Sequence, residues 1–149
     1  MTMLRPEHLI GGWRLTSWDV TTADAITYPF GDDAEGLLTY TPDGWMQATV
    51  VAAGRPRLSH PSPRRVPDAE LAAAARDFFS YAGRWHLEDT TVVHEVLLSA
   101  NPEMVGTRQR RHVRLEGRSL TLSADEPVGE HVRHHRLAWH RAEPSEEHR

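Results

Sequence analysis

Apolar and polar residues alternate along most of this chain with a period of two, the pattern of β-strands that bury one face and expose the other. Between residues 45 and 52, for example, Met46, Ala48 and Val50 face away from Gln47 and Thr49. Segments rich in Pro, Gly, Asp and Asn separate these runs and are typical of turns. Eight segments carry the pattern and predict strands, at residues 13–21, 36–41, 45–52, 81–87, 91–99, 105–115, 119–124 and 131–139.

Helical spacing is found in one place, after a proline-rich loop at residues 54–67. It predicts one amphipathic helix over residues 68–80, with an apolar stripe of Leu71, Ala74, Ala75, Phe78 and Phe79. The chain is therefore predicted to be all-β, as an eight-stranded antiparallel up-and-down barrel or its open-sheet relative. The short helix is placed between the third and fourth strands. It either packs on the wall or forms a lid over the open end.

Composition narrows the class of protein without changing the fold. The 149 residues predict a single domain, with a charged tail after about residue 142 that we expect to be disordered. A net charge of -4 gives no reason to expect nucleic acid or an anionic membrane as a partner. The chain has no cysteine, and all 17 of its basic Lys and Arg residues are Arg, so thiolate and lysine Schiff-base chemistry are excluded. With no signal peptide or spanning segment recognised, a cytoplasmic protein is expected, and a homodimer is left open as its assembly.

Strand alternation also predicts which side chains face the barrel interior. On the sixth predicted strand, every second side chain from Arg108 to Arg114 is basic or His, which marks the solvated face. Thr107, Gln109 and Arg111 are therefore predicted to point inward. The other predicted interior residues are His94 and a mostly apolar set: Leu38, Tyr40, Met46, Tyr81, Trp85, Val92, Val96 and Leu98.

Several short motifs together resemble the lipocalin-like domain family of small stand-alone barrels found in bacteria and fungi. They are Gly-Trp-Arg-Leu at residues 12–15, Pro-Phe-Gly at 29–31, residues 36–44 with Met46, Tyr-Ala-Gly at 81–83, Val-His at 93–94, residues 105–107 with Gln109 and Arg111, and residues 120–122. The resemblance implies an eight-stranded barrel around a small-molecule cavity. It also implies that an Arg of the last strand, Arg136 or Arg141, stacks on Trp13 at the base. Glu95 stands where a second His is common in such barrels.

A mostly apolar interior with a few convergent polar groups is typical of a ligand site. Some barrels similar to this family are cofactor-free cyclases or isomerases beside natural-product pathways. The leading hypothesis is accordingly an enzyme without a cofactor that cyclises or isomerises a hydrophobic, oxygenated, polyketide-like molecule. His94 would be the general acid/base, Arg111 would stabilise charge on a carbonyl oxygen, and Gln109 would orient the substrate. The predicted substrate contacts are Tyr40, Tyr81, Trp85, Leu38, Met46, Val96, Leu98 and Thr107.

Two alternatives remain open at this point. The barrel could be a non-catalytic intracellular carrier or sensor of such a molecule. Alternatively, the three polar residues could form a satisfied plug in a collapsed interior, which would make the barrel a structural module.

A cluster of histidines near the C-terminus suggests a metal site but lacks the required pattern. The cluster consists of His131, His134, His135 and His140. Strand alternation divides these four residues between two faces, and an Arg between them on each face repels a cation. We therefore predict neither a metal site nor another cofactor.

Overall fold

The alternating segments form one antiparallel sheet that closes on itself. The structure, a computed structural model, describes residues 3–148. Its strands are β1 (Gly11–Thr21), β2 (Ile26–Thr27), β3 (Glu35–Tyr40), β4 (Trp45–Val51), β5 (Phe78–Glu88), β6 (Thr91–Ser99), β7 (Arg108–Glu116), β8 (Ser119–Val128) and β9 (His131–Arg141). The eight long strands pair in chain order, and β9 returns to pair with β1, so the barrel is closed. Both the all-β class and the eight-stranded barrel are confirmed.

The predicted position of the helix is wrong. A two-residue strand, β2, pairs with the end of β1, so the helix α1 (Asp68–Arg76) lies after β4 and before β5. Both residues of β2 are exposed, and a pair of this length carries no alternation that a sequence could show. The helix also ends earlier than predicted, because Phe78 and Phe79 pair with Val51 and Val50 as the start of β5. Sheet pairing therefore divides the apolar stripe that had suggested a longer helix.

The base of the barrel is closed by an indole and a guanidinium. Trp13 is fully buried, and its Nε1 donates a hydrogen bond to the carbonyl oxygen of Leu9 at 2.9 Å. The guanidinium carbon of Arg141 lies 3.9 Å from the centre of the Trp13 ring. Arg141 also donates hydrogen bonds to the carbonyls of Ile10 and His8, at 2.6 and 2.7 Å. Of the two candidates that the sequence left open, Arg141 therefore stacks on the base tryptophan.

A β-bulge in β6 turns outward one residue that was predicted to face the interior. Opposite β5, Gly83 pairs with Val96 but Ala82 pairs with Leu98, so Leu97 is inserted into the ladder. The extra residue changes the face of the residues that follow, and Leu98 is 71% exposed instead of facing the interior. The alternation on β7 holds as predicted, with Arg108 to Arg114 exposed at every second position.

The residues that follow β9 begin beside the base. The backbone N–H of Ala142 donates a hydrogen bond to the Gly12 carbonyl at 2.9 Å, and Glu143 forms an ion pair with Arg118 at 2.8 Å. A single turn of 3-10 helix covers Glu146–His148. Across residues 3–148, no helix is both long enough and apolar enough to cross a bilayer.

Candidate functional site

A cavity of roughly 440 Å³ lies inside the barrel towards the end opposite Trp13. Its volume falls within the usual range for sites that enclose a small molecule. The walls are largely apolar: Trp18, Leu38, Ala48, Val50, Phe79, Met104, Leu122, Ala124, Leu137 and Trp139. The polar contributions come from two places, the interior of the barrel and the rim. The interior group is formed by Tyr81, His94, Gln109 and Arg111, and the rim group by Asp125, Glu126 and His135.

A buried imidazole between two phenols forms the centre of the site. His94 is 2% exposed, and its Nε2 lies 2.6 Å from the Tyr40 hydroxyl. On the other side of the ring, Nδ1 lies 2.5 Å from the Tyr81 hydroxyl. The register of the sheet explains this meeting, because β3, β4, β5 and β6 are consecutive neighbours and all three residues occupy inward positions. Only Tyr81 and His94 of the three line the cavity.

Burial keeps all three groups uncharged at neutral pH. Loss of hydration, with a smaller effect of the Arg111 charge, lowers the pKa of His94 from 6.5 to about 3. The same loss of hydration raises the pKa of Tyr40 and that of Tyr81, although Arg111 opposes the rise in each case. A neutral imidazole carries one N–H donor and one acceptor nitrogen, so the two phenols must play different roles toward it.

Gln109 and Arg111 form a second polar group on the cavity wall. Nη2 of Arg111 lies 3.3 Å from Oε1 of Gln109, and Nη1 donates to the Arg110 carbonyl at 2.9 Å. The Gln109 amide in turn donates to the Thr107 hydroxyl at 2.8 Å, which donates to the Met104 carbonyl at 2.6 Å. Among residues 3–148, no carboxylate forms an ion pair with Arg111. A half-buried cation therefore faces the cavity with neutral partners only.

The structure places the predicted site residues in three groups. Four of them line the cavity together with Leu38, as the sequence indicated: Tyr81, His94, Gln109 and Arg111. Tyr40, Met46, Trp85 and Val96 are buried but belong to the packed lower half of the barrel and not to the cavity wall. Trp85 lies against Tyr40, with ring centres 4.7 Å apart, and does not line the cavity. Leu98 is outside, and Thr107 supports Gln109 from the edge.

The predicted cluster of His94 with Gln109 and Arg111 forms only in part. Gln109 lies opposite His94 in the β6–β7 ladder, and all three line one cavity. The hydrogen bonds of His94, however, go to the two tyrosines. The sequence could not show this, because the two phenols come from other strands: Tyr81 from β5 beside β6, and Tyr40 from β3, two strands further along the sheet.

Sequence reasoning missed much of the upper wall. Phe79 had been assigned to the helix, and Met104 belongs to a 3-10 turn after β6. Leu122, Leu137 and Trp139 do alternate on β8 and β9, so their pattern could have indicated them. No residue of α1 lines the cavity, and the helix contacts β5, the strand that follows it in the chain.

Two of the C-terminal histidines, His134 and His135, form hydrogen bonds at the rim. His134 Nδ1 lies 2.6 Å from Asp125, and His135 Nε2 lies 3.2 Å from Glu126. The Trp18 indole N–H donates to Nδ1 of His135 at 3.2 Å. In the part of the chain that the structure describes, no three His, Asp or Glu side chains come together as a metal site would require.

Comparison with known proteins agrees with this architecture. A protein-family model described as a lipocalin-like domain matches residues 10–142. The chain belongs to the lipocalin-like domain family. The lipocalin-like barrel is also similar to the 4'-hydroxy-3'-methoxypropiophenone carrier protein ppsC of Aspergillus oryzae, with 34% identity over 91 residues. The matched region covers 56% of this lipocalin-like chain and 82% of the fungal carrier.

Proposed function

We propose that this lipocalin-like barrel binds and carries a small, largely apolar, oxygenated molecule in the cavity above His94. The observation that carries the proposal is the cavity itself, which is apolar on most sides but has Tyr81, His94 and Arg111 at one region of its wall. Such a wall desolvates a hydrocarbon skeleton and orients an oxygen atom. The relative named as a carrier of a hydroxylated, methoxylated aryl ketone supports a ligand of this general kind.

The electrostatics of the site favour a carrier over an acid/base catalyst. An effective general base has a pKa near the working pH, whereas burial holds the pKa of His94 at about 3. The raised pKa values of Tyr40 and Tyr81 make their phenols weaker acids than an ordinary tyrosine. These three groups are therefore suited to neutral hydrogen bonds with a ligand, and less to the transfer of protons.

A cofactor-free cyclase or isomerase is the second candidate, and Arg111 is the observation that favours it. A guanidinium that faces the cavity with no carboxylate partner among the described residues can stabilise negative charge developing on a carbonyl oxygen. In this alternative His94 exchanges the proton, while Gln109 and Tyr81 orient the substrate.

One experiment tests the carrier and separates it from the enzyme. The protein is titrated with 4'-hydroxy-3'-methoxypropiophenone by isothermal titration calorimetry, and the bound molecule is then recovered and analysed by liquid chromatography and mass spectrometry. We expect a complex with one molecule per barrel and recovery of the unchanged compound. A product of the same mass with altered retention would support the isomerase instead.

Paired variants show whether the cavity is the site. Ala124→Phe adds a ring to the cavity wall, and we expect it to weaken binding by about tenfold or more, equivalent to about 1.4 kcal/mol. Ser123→Phe adds the same ring at the adjacent position of β8, which points the other way, and should leave affinity unchanged. Equal affinities for the two variants, or no binding by the unmodified protein, would contradict the proposal.

A further inference from the structure

We infer that the Tyr81 hydroxyl is a hydrogen-bond donor to the ligand, so that the cavity selects molecules that present an acceptor oxygen, such as a ketone carbonyl, beside His94. The inference rests on the proposed function and concerns the chemistry of the same cavity. Tyr40, His94 and Tyr81 form a row of two hydrogen bonds, and the donor of each bond can be assigned by starting from the buried end of the row.

The buried end of the row is the Tyr40 hydroxyl. Tyr40 is 1% exposed and lies in the packed half of the barrel, and within residues 3–148 its hydroxyl has His94 Nε2 as its hydrogen-bond partner. A buried O–H without an acceptor costs about 1–3 kcal/mol, so the phenol proton must be directed to that nitrogen. Nε2 of His94 is therefore the acceptor nitrogen of the ring.

This assignment determines the rest of the row. A neutral imidazole that accepts at Nε2 carries its proton at Nδ1. That N–H donates to the Tyr81 oxygen, 2.5 Å away. Because the Tyr81 oxygen accepts from His94, its own proton is not used within the row. Tyr81 lines the cavity, so this proton is available to a molecule inside it.

The opposite proton order would select a different class of ligand. If Nε2 carried the proton, Tyr81 would donate to Nδ1 and would offer the cavity only an acceptor. The cavity would then favour ligands with a hydroxyl or amino donor at this position. It would also leave the Tyr40 proton without an acceptor in the core. Arg111, which can only donate, provides a second group on the same wall that favours an acceptor oxygen.

The test compares two ligands of similar shape, propiophenone and propylbenzene. They differ at one position, where propiophenone has a carbonyl group and propylbenzene has a methylene group. Their affinities are measured by calorimetry with the unmodified protein, with Tyr81→Phe and with Tyr28→Phe. Tyr28 is an exposed tyrosine outside the cavity lining and provides the same chemical change as a control. We expect Tyr81→Phe to shift the affinity ratio by about tenfold in favour of the hydrocarbon, and Tyr28→Phe to leave it unchanged.

The outcomes separate this inference from the proposed function. If neither compound binds the unmodified protein, the proposed function fails. If both bind and the ratio is the same with Tyr81→Phe, the carrier stands and the inference is overturned.

A direct measurement on the unmodified protein does not depend on the folding of any variant. Two-bond proton–nitrogen correlation spectra of ¹⁵N-labelled protein report which ring nitrogen of His94 is protonated. We expect Nδ1 to carry the proton, and a protonated Nε2 would overturn the inference.

Discussion

At the scale of single residues, the site depends on how burial changes the chemistry of His94. The same imidazole on the surface would titrate near neutral pH, but here two phenols replace water as its partners. The ring is thereby held neutral and in one orientation. The sequence indicated that His94 faces inward, yet a general base and a neutral link in a row of hydrogen bonds look alike in sequence. Only the neighbours contributed by β3 and β5 distinguish the two roles.

The pKa of His94 predicts how stability changes with pH. Folding lowers this pKa from 6.5 to about 3, so between these values the unfolded chain binds more protons than the folded one. The contribution of His94 to stability is therefore present above about pH 6.5 and is lost as the pH falls towards 3. Between pH 7 and pH 4.5 the loss amounts to about 2–3 kcal/mol. Urea unfolding at a series of pH values measures it.

The control for this measurement is a pair of histidine variants. His94→Gln should flatten the fall in unfolding free energy between pH 7 and pH 4.5, apart from any loss of overall stability. His112→Gln, which changes an exposed position on β7, should keep the full slope. Identical slopes for the two variants would show that His94 does not cause the pH dependence.

At the scale of elements, the β-bulge between β5 and β6 connects sequence, packing and the site. Leu97 is the inserted residue, and the strands approach closely beside it, at Gly83. A Cβ atom built at Gly83 would lie 1.8 Å from the backbone oxygen of Glu95. Backbone cannot move aside as a flexible side chain can, so Gly is the residue that this contact requires. Alternation predicted the strand but not the bulge, because residues 97 and 98 are both Leu and the sequence does not show where the alternation shifts by one residue.

Gly83→Ala should therefore be strongly destabilising. We expect a loss of at least about 3 kcal/mol in unfolding free energy, since the added methyl group must displace backbone in a closed sheet. Circular dichroism during thermal unfolding measures the effect. Gly12→Ala is the matched control, because its new Cβ would meet the Cβ of Ala142 at 3.6 Å, an ordinary contact. Similar unfolding temperatures for the two variants would contradict the account of the bulge.

At the scale of the whole molecule, the barrel separates stability from binding along its axis. Buried side chains pack around Trp13 at the base, and Arg141 stacks on it, while the cavity and its rim lie towards the other end. This division explains why only part of the predicted interior lines the site. It also predicts that changes at the base alter stability without altering affinity for a ligand.

Arg141→Lys tests this separation. Lysine retains the charge but lacks the planar fork that stacks on Trp13 and donates to two carbonyls. We expect a loss of about 1.5–3 kcal/mol in unfolding free energy, measured by urea denaturation, with unchanged affinity for 4'-hydroxy-3'-methoxypropiophenone. Arg114→Lys, on the exposed face of β7, should change neither quantity. A change in affinity with Arg141→Lys, measured under conditions where the variant is fully folded, would contradict the separation of the two ends.

The class of fold, the eight long strands and most of their inward faces follow from the amino-acid pattern alone. These features are local, because a period of two records which side chains must avoid water. The short strand β2, the end of α1 and the bulge at Leu97 were decided by pairing between strands and by close packing, which leave no periodic trace. Above all, the chemistry of the site depends on contacts between strands. Tyr40, Tyr81 and His94 lie on three different strands, and their side chains meet only in the folded sheet, which buries all three.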